Sequence, residues 1–354
     1  IICSPSNHDL HHNRLACGYM TAKIDLYFPQ FAQYLASAPN PPILSRLAAL
    51  GAWQVDKTQP IEMTLCETLG VRKSEDWPLA AYTRLGEGLD VNKGSYLIVH
   101  PAYFALQRDH FVYGQSLLLE SGVSGQLVRL LNNHFAGDGL YFERSKDPAI
   151  WYLQSETPLN VQTSLPAQVL GRDVRGLMPQ GTDALRCQTI LNQVQMLFHE
   201  HPVNQMREVV GEVPVNSIWL SGCASAKDIK PVHLHKKWQI FANDLLVSGL
   251  AKNAKQPCYV LPKNWQGLMD SLTADEDALV VVDHADFLEA SWFEPMWASL
   301  KKAEVKEVRC HFAVDGMRFT LTLHPRDKWK FWRTAHPLMD YLSIAYDQAD
   351  GSHR

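Results

Sequence analysis

ALVVVDHAD fills residues 278–286, and its opening run decides the fold. Five apolar residues in succession leave no polar face, so a strand here is covered on both sides, as a central strand packed between helices is. IDLYF (24–28), SYLIVH (95–100), NSIWL (216–220) and PCYVL (257–261) are further strand candidates, and helical stretches separate most of them. One of those helices is predicted over PPILSRLAALG, with Pro near its start and Gly51 at its end. The alternation gives an α/β class. EVRCHFAV and MRFTLTL differ: they alternate with period two about Asp315-Gly316, which predicts an antiparallel hairpin at a sheet edge with one face buried.

With 354 residues, 46% of them hydrophobic, the chain is long enough for two domains or one domain with a large insertion. Lys and Arg number 33 against 37 Asp and Glu, and a net charge of -4 provides no broad field for nucleic acid or anionic lipid. Anion binding must then be the work of a local site. Seven cysteines, an odd number without a Cys-x-x-Cys, argue against a disulfide framework and a structural zinc site, so a reducing cytoplasm is the expected compartment. No apolar run approaches the ~20 residues of a membrane span. Residues 1–22 lack a periodic apolar face and are expected to be a disordered or non-native leader, with Met20 as the start of the native chain; the same reading outweighs a metal site at His8, His11 and His12.

HPVNQMREVVGEVPVNSIWLSG (201–222) is the stretch in which candidate binding residues concentrate. An apolar stripe of Leu185, Cys187, Ile190, Leu191, Val194, Leu197 and Phe198 predicts a helix leading into it. Asn204 is then placed to cap a short helix that Gly211 ends, and Pro214 forces an extended entry into Asn216-Ser217-Ile218-Trp219. His201, Asn204, Arg207, Asn216, Trp219, Ser221 and Gly222 are the ligand-binding candidates. His201, Arg207, Asn216 and Ser221 are expected to converge on one pocket where Arg207 supplies the fixed cation for an anion. A cap followed by a strand entry is the plainer alternative.

His-Pro-Val-Asn-x-x-Arg-x-x-x-Gly followed by Asn-x-Ile-Trp-x-x-Gly resembles a stretch of archaeal-type cofactor-independent phosphoglycerate mutases of the alkaline phosphatase superfamily. PNPPILSRLAALGAW resembles their first helix, PIEMTLCETLG their nucleophile segment and EDWPLAAYTRLGEG the glycine-rich stretch after it. SYLIVHPAYFALQRDHFVYG and GRDVRGLMPQG resemble their inserted domain. A proteobacterial branch, the RpfE-type regulatory proteins, is closer still, and the resemblance runs from Lys23 to about Arg333. It implies an alkaline-phosphatase-like, mostly parallel sheet covered by helices, an inserted α+β lobe over 95–183 and a core domain over 23–94 plus 184–354.

The resemblance also implies what a working mutase would need: a serine or threonine nucleophile between two divalent metals, Mn or Zn, held by Asp and His at strand ends. The first ligand should follow strand one, where this chain has Phe28-Pro29-Gln30. At the nucleophile position it has Ile61-Glu62-Met63, with Thr64 as the nearby hydroxyl. Asp283, His284 and Asp286 are the remaining metal candidates, and a helix cap with a hydrogen-bonded loop histidine is the alternative for the first two. The expectation is therefore a non-catalytic regulatory protein without a cofactor, binding a small anion or a protein partner, with no direct nucleic acid and no membrane. The alternative is an active mutase or phosphohydrolase with rearranged ligands.

Four smaller features read as structural. Asp109-His110 should point to opposite strand faces, His233-x-His235 should be solvated, and Trp329, Phe331, Trp332 and Arg333 should pack a C-terminal helix on the hairpin. Arg172 and Arg175 either receive an anion or pair with Asp173 and Asp183.

Overall fold

The computed structural model describes residues 22–351 except His235, Ala274 and Asp275. The leader over residues 1–22 lies outside the described residues apart from Ala22, and so does His235. The strands are β1 (Lys23–Phe28), β2 (Ala52–Asp56), β3 (Ser95–Gln107), β4 (His110–Ser116), β5 (Leu140–Arg144), β6 (Trp151–Ser155), β7 (Ser217–Ser225), β8 (Trp238–Phe241), β9 (Cys258–Tyr259), β10 (Asp277–Val281), β11 (Glu307–Val314) and β12 (Met317–Leu323).

Seven of them form one sheet in the order β2-β12-β11-β1-β10-β8-β9. β1 pairs in parallel with β10 on one side and β11 on the other, so Leu26 lies between Val280 and Cys310. β8 and β9 continue the parallel run. The run of apolar residues at 278–282 is covered on both faces, as its composition requires. Ala278, Val280 and Val282 join Ile24, Leu26 and Phe28 in a core against helices Pro42–Leu50 and Glu294–Lys301. Leu279 and Val281 join Tyr27 in a second core against helices Ile61–Thr68, Leu79–Glu87 and Leu245–Asn253. This is the expected mixed α/β architecture with a mostly parallel sheet.

The hairpin is antiparallel, and Asp315 and Gly316 turn with φ of 50° and 74°. It is not the edge. β2 pairs outside β12, because Trp53 and Val55 alternate inward from a stretch whose Gln54 and Asp56 hid it from a reading based on apolar runs.

The second sheet is antiparallel throughout. β3 is its long axis, with β7 along one side and β6 and β4 in succession along the other; β5 lies beyond β6. Helices Ser121–Phe135 and Ala184–His199 cover one face. Cys187, Ile190, Leu191, Val194 and Phe198 form the buried stripe, whereas Leu185, in the first turn, is 76% exposed.

Helix Leu79–Glu87 joins the two sheets, packing on β3 and β7 of the second and on helix Leu245–Asn253 of the first. The two helices touch backbone to backbone: a Cβ on Gly86 would stand 1.8 Å from the Leu245 carbonyl oxygen, and one on Gly249 1.8 Å from that of Tyr82. The described cysteines are free, with Cys66, Cys187, Cys223 and Cys310 buried. Among the described residues no helix is long and apolar enough to cross a membrane.

The aromatic cluster after the hairpin corrects the packing expectation. Trp329, Phe331 and Trp332 are 65%, 77% and 69% exposed, because Lys330 and Arg333 turn the chain outward by donating to the Leu50 and Ala49 carbonyls at the end of helix Pro42–Leu50. Asp109 and His110 also depart from expectation. Asp109 sits in the β3–β4 turn and His110 opens β4, and His110 Nδ1 lies 3.2 Å from Asp109 Oδ1 on the surface.

Candidate functional site

The asparagines of residues 201–222 act over a longer range than capping. The N-cap of helix Pro202–Val209 is His201, whose Nδ1 accepts from the Val203 N–H at 3.3 Å, so the helix starts before Asn204. Asn204 is buried instead. Its Oδ1 accepts from Val215 N–H at 2.8 Å, and its Nδ2 donates to the carbonyls of Val215 (2.8 Å) and Phe198 (2.7 Å). Asn216 does the same to Phe104, accepting from its N–H at 2.7 Å and donating to its carbonyl at 2.8 Å. Each carboxamide thus replaces a strand neighbour, satisfying the donor and acceptor of one residue on a side where no strand pairs with it. Asn132 treats Phe142 in the same way.

The other candidates in this segment are similarly occupied. Arg207 donates through Nε to the Val213 carbonyl at 2.9 Å and pairs through Nη1 with Glu212 at 2.8 Å, leaving its side chain 13% exposed. Trp219 donates to the Ser164 carbonyl at 2.7 Å and packs edge-on against Tyr113. Ser221, fully buried, is 2.9 Å from His100 Nε2, and burial lowers the pKa of that imidazole to about 4, so it is neutral. Gly222, at φ +65°, packs on Leu79 with no room for a Cβ and donates to Thr163 Oγ1 at 2.7 Å. Asn216 lines a groove of about 330 Å³ with Phe104, Phe111, Gln195, Met196 and His199, and neither His201, Arg207 nor Ser221 borders it.

Asp76 is the keystone next to this segment. It is 3% exposed and accepts from the backbone N–H groups of Trp77 and Cys223, both at 2.9 Å, and from Thr163 Oγ1. One carboxylate thereby ties the loop before helix Leu79–Glu87 to β7 and to the segment after β6. Burial nevertheless pushes its pKa above the ordinary carboxylate range.

The strand ends of the parallel sheet present a different chemistry. Glu62 lies in the first turn of helix Ile61–Thr68, and Asp244 caps helix Leu245–Asn253 by accepting from Val247 N–H at 2.9 Å. Asp283 and His284 follow β10 half-buried, and Asp286 is exposed. Burial, then the Asp244 charge, pushes Glu62 up; burial, then Asp147 and Asp283, pushes Asp244 up. Like charges thus face one another here. Thr64 is buried, and its hydroxyl donates to the Pro60 carbonyl at 3.3 Å. Glu289, in the stretch that departs from the mutase pattern, caps helix Pro42–Leu50 from across the core, accepting from Ile43 and Leu44 N–H at 2.8 Å each.

These residues do not fit a paired-metal clamp. Phe28, at the end of β1, is buried with its ring 5.3 Å from both Phe293 and Phe312, and cannot supply a ligand. Among the described residues no group of three His, Cys, Asp or Glu side chains is placed to hold one ion.

No family model matches the chain. A stretch of 68 residues, 19% of the chain, is 34% identical to a 2,3-bisphosphoglycerate-independent phosphoglycerate mutase of Methanothrix thermoacetophila. It is 32% identical over the same length to a probable enzyme of that name from Geobacter sulfurreducens. In each case the match spans 17% of the relative's length. Among solved structures the chain is similar to the cofactor-independent phosphoglycerate mutase from Thermoplasma acidophilum, at 15% identity over 86% of this chain and 90% of that one, TM-score 0.39. It is also similar to the PH0037 protein from Pyrococcus horikoshii, at 14% identity over 87% and 88%, TM-score 0.44.

Sequence reasoning passed over Asp25, inside a strand read as apolar. It is 2% exposed and faces Arg309, whose Nη2 donates to Oδ2 at 2.7 Å, and His311, whose Nε2 is 3.6 Å from Oδ1. Burial raises the Asp25 pKa, but His311 and Arg309 outweigh it and hold the carboxyl below its usual range. The signal was available: a charge within IDLYF requires a partner, and Arg309 and His311 occur at period two in EVRCHFAV.

Proposed function

We propose that this is a phosphoglycerate-mutase-like protein that has lost metal-dependent phosphoryl transfer and acts by binding a ligand or partner, in the manner the resemblance to the RpfE-type regulatory branch implies. The observation that carries this reading is Phe28. The position from which a mutase would present its first metal ligand belongs to an aromatic stack, so restoring a ligand would require dismantling part of the core. Thr64 supports it: a buried hydroxyl committed to a backbone carbonyl is not an activated nucleophile. Glu62 and Asp244, each at the start of a helix, place carboxylates where an incoming phosphate would need cations or free N–H groups.

One observation favours the alternative of a working mutase or phosphohydrolase. Burial and then the Asp244 charge raise the proton affinity of Glu62, burial and then Asp147 and Asp283 raise that of Asp244, and a divalent cation such as Mn or Zn would relieve the repulsion. Metal analysis of the purified protein decides between the readings. We expect substoichiometric Mn and Zn and no hydrolysis of an aryl phosphate. About two bound equivalents with phosphatase activity would establish the enzyme instead.

A further inference from the structure

At the far end of helix Ile61–Thr68 from Glu62, a cleft of about 840 Å³ opens between the loop 70–77 and the segment 228–233 that follows β7. Val71, Trp77 and Tyr82 belong to the buried core and form its floor, while Arg72, Lys73, Lys230 and His233 are exposed at its rim. Of the two carboxylates that line it, Asp228 is already committed: Oδ2 accepts from Ser225 N–H and Oγ, both at 2.8 Å, and Oδ1 from Ser74 Oγ at 2.9 Å. Glu67 is the other. The rim cations are not spent in this way, since none of Arg72, Lys73 and Lys230 has a side-chain hydrogen bond or ion pair among the described residues.

Two basic residues after a helix end are ordinarily explained as complements to its dipole. That account is insufficient here. The last carbonyls of the helix are already taken by the N–H groups of Leu69, Gly70 and Val71, and Lys230 and His233 arrive from a separate segment of the chain. Gly70, at φ +79°, brings the two segments together, since a Cβ there would meet Val232 Cγ1 at 2.4 Å. Three permanent cations against two carboxylates, in a chain of net charge -4, make this a local positive site of the size small-molecule pockets have.

We propose that this cleft binds a small oxyanion of two or more charges, held by the Arg72 fork and the Lys73 and Lys230 ammonium groups. It shares no residue with the strand-end site, so it does not depend on whether that site is catalytic. The loop it grips includes Asp76, and occupancy would stiffen the tie from this loop to β7 and the second sheet.

Calorimetric titration of the full chain with pyrophosphate and with citrate, at low ionic strength, tests the site. Arg72→Ala and Lys230→Ala, singly and together, should weaken binding, about tenfold or more for the pair, at unchanged melting temperature, because both side chains are exposed. Lys301→Ala, an exposed cation on another face, should bind as the parent does. Binding of pyrophosphate alone would assign the site to phosphates, and binding of both anions to oxyanions generally. The proposal is overturned if the parent binds neither anion at millimolar concentration, if the double variant binds as tightly as the parent, or if Lys301→Ala loses as much.

Discussion

The segment 201–222 and the strand ends of the parallel sheet both gather polar side chains and treat them in opposite ways. In the segment the conspicuous polar groups answer others: Asn204 satisfies Val215 and Phe198, Asn216 satisfies Phe104, and Arg207 closes on its own loop through Val213 and Glu212. At the strand ends, Glu62, Asp244 and Asp283 are of one sign, and burial and like charge raise the proton affinity of Glu62 and Asp244. A pattern of conspicuous residues in a sequence is therefore weak evidence of a site until their partners are known. Groups consumed by their neighbours build the fold, and groups in mutual repulsion carry a cost that a ligand could relieve.

The largest effect expected from this contrast is at Asn204. Asn204→Ala leaves the Val215 N–H and carbonyl buried without partners, while the Phe198 carbonyl keeps the His201 N–H, and should cost about 2 kcal/mol in denaturant unfolding, at about 1 kcal/mol or more for each unmet group. A cost under about 1 kcal/mol would mean that these groups find other partners, and the contrast would weaken. Glu62→Gln should act in the opposite direction. The folded-state pKa of Glu62 is raised, so the folded chain holds the proton more tightly, and stability declines as pH rises from the unfolded carboxyl value, ~4.3, through the folded one. Removing the charge should raise the melting temperature at pH 7 by about 2 °C and flatten its fall above the unfolded carboxyl value. A lower melting temperature would show that Glu62 has a cationic partner and would favour the enzyme reading. The smallest effect belongs to Arg207→Ala, which loses one backbone hydrogen bond and one partly exposed ion pair, for about 1 kcal/mol. No loss of anion affinity should accompany it.

Much of the architecture was legible because burial on two faces leaves a composition signal: the run 278–282 placed a central strand, and Asp315-Gly316 placed a hairpin. β2 escaped because only Trp53 and Val55 mark its inward face. The candidate site was less legible for a physical reason. Asparagine prefers helix N-termini locally, and that preference suggested a cap for Asn204, yet its partner lies eleven residues on, at Val215. Glu62, Asp244 and Asp283 come together through helix placement, which no local pattern encodes. The exposed Trp329, Phe331 and Trp332 show a related failure, since apolar character predicted packing whereas two hydrogen bonds to a helix end direct the chain outward.

Gly86 and Gly249 make the joint between the sheets intolerant in an unusual way. Every other amino acid has a Cβ, and at both positions that atom would fall 1.8 Å from a carbonyl oxygen of the opposing helix, so no substitution is conservative and none at one position relieves the other. In a saturation library selected for folding, these two positions should stand empty while exposed neighbours such as Lys252 vary freely. Alanine, the mildest replacement elsewhere in a helix, should be lost as completely as tryptophan.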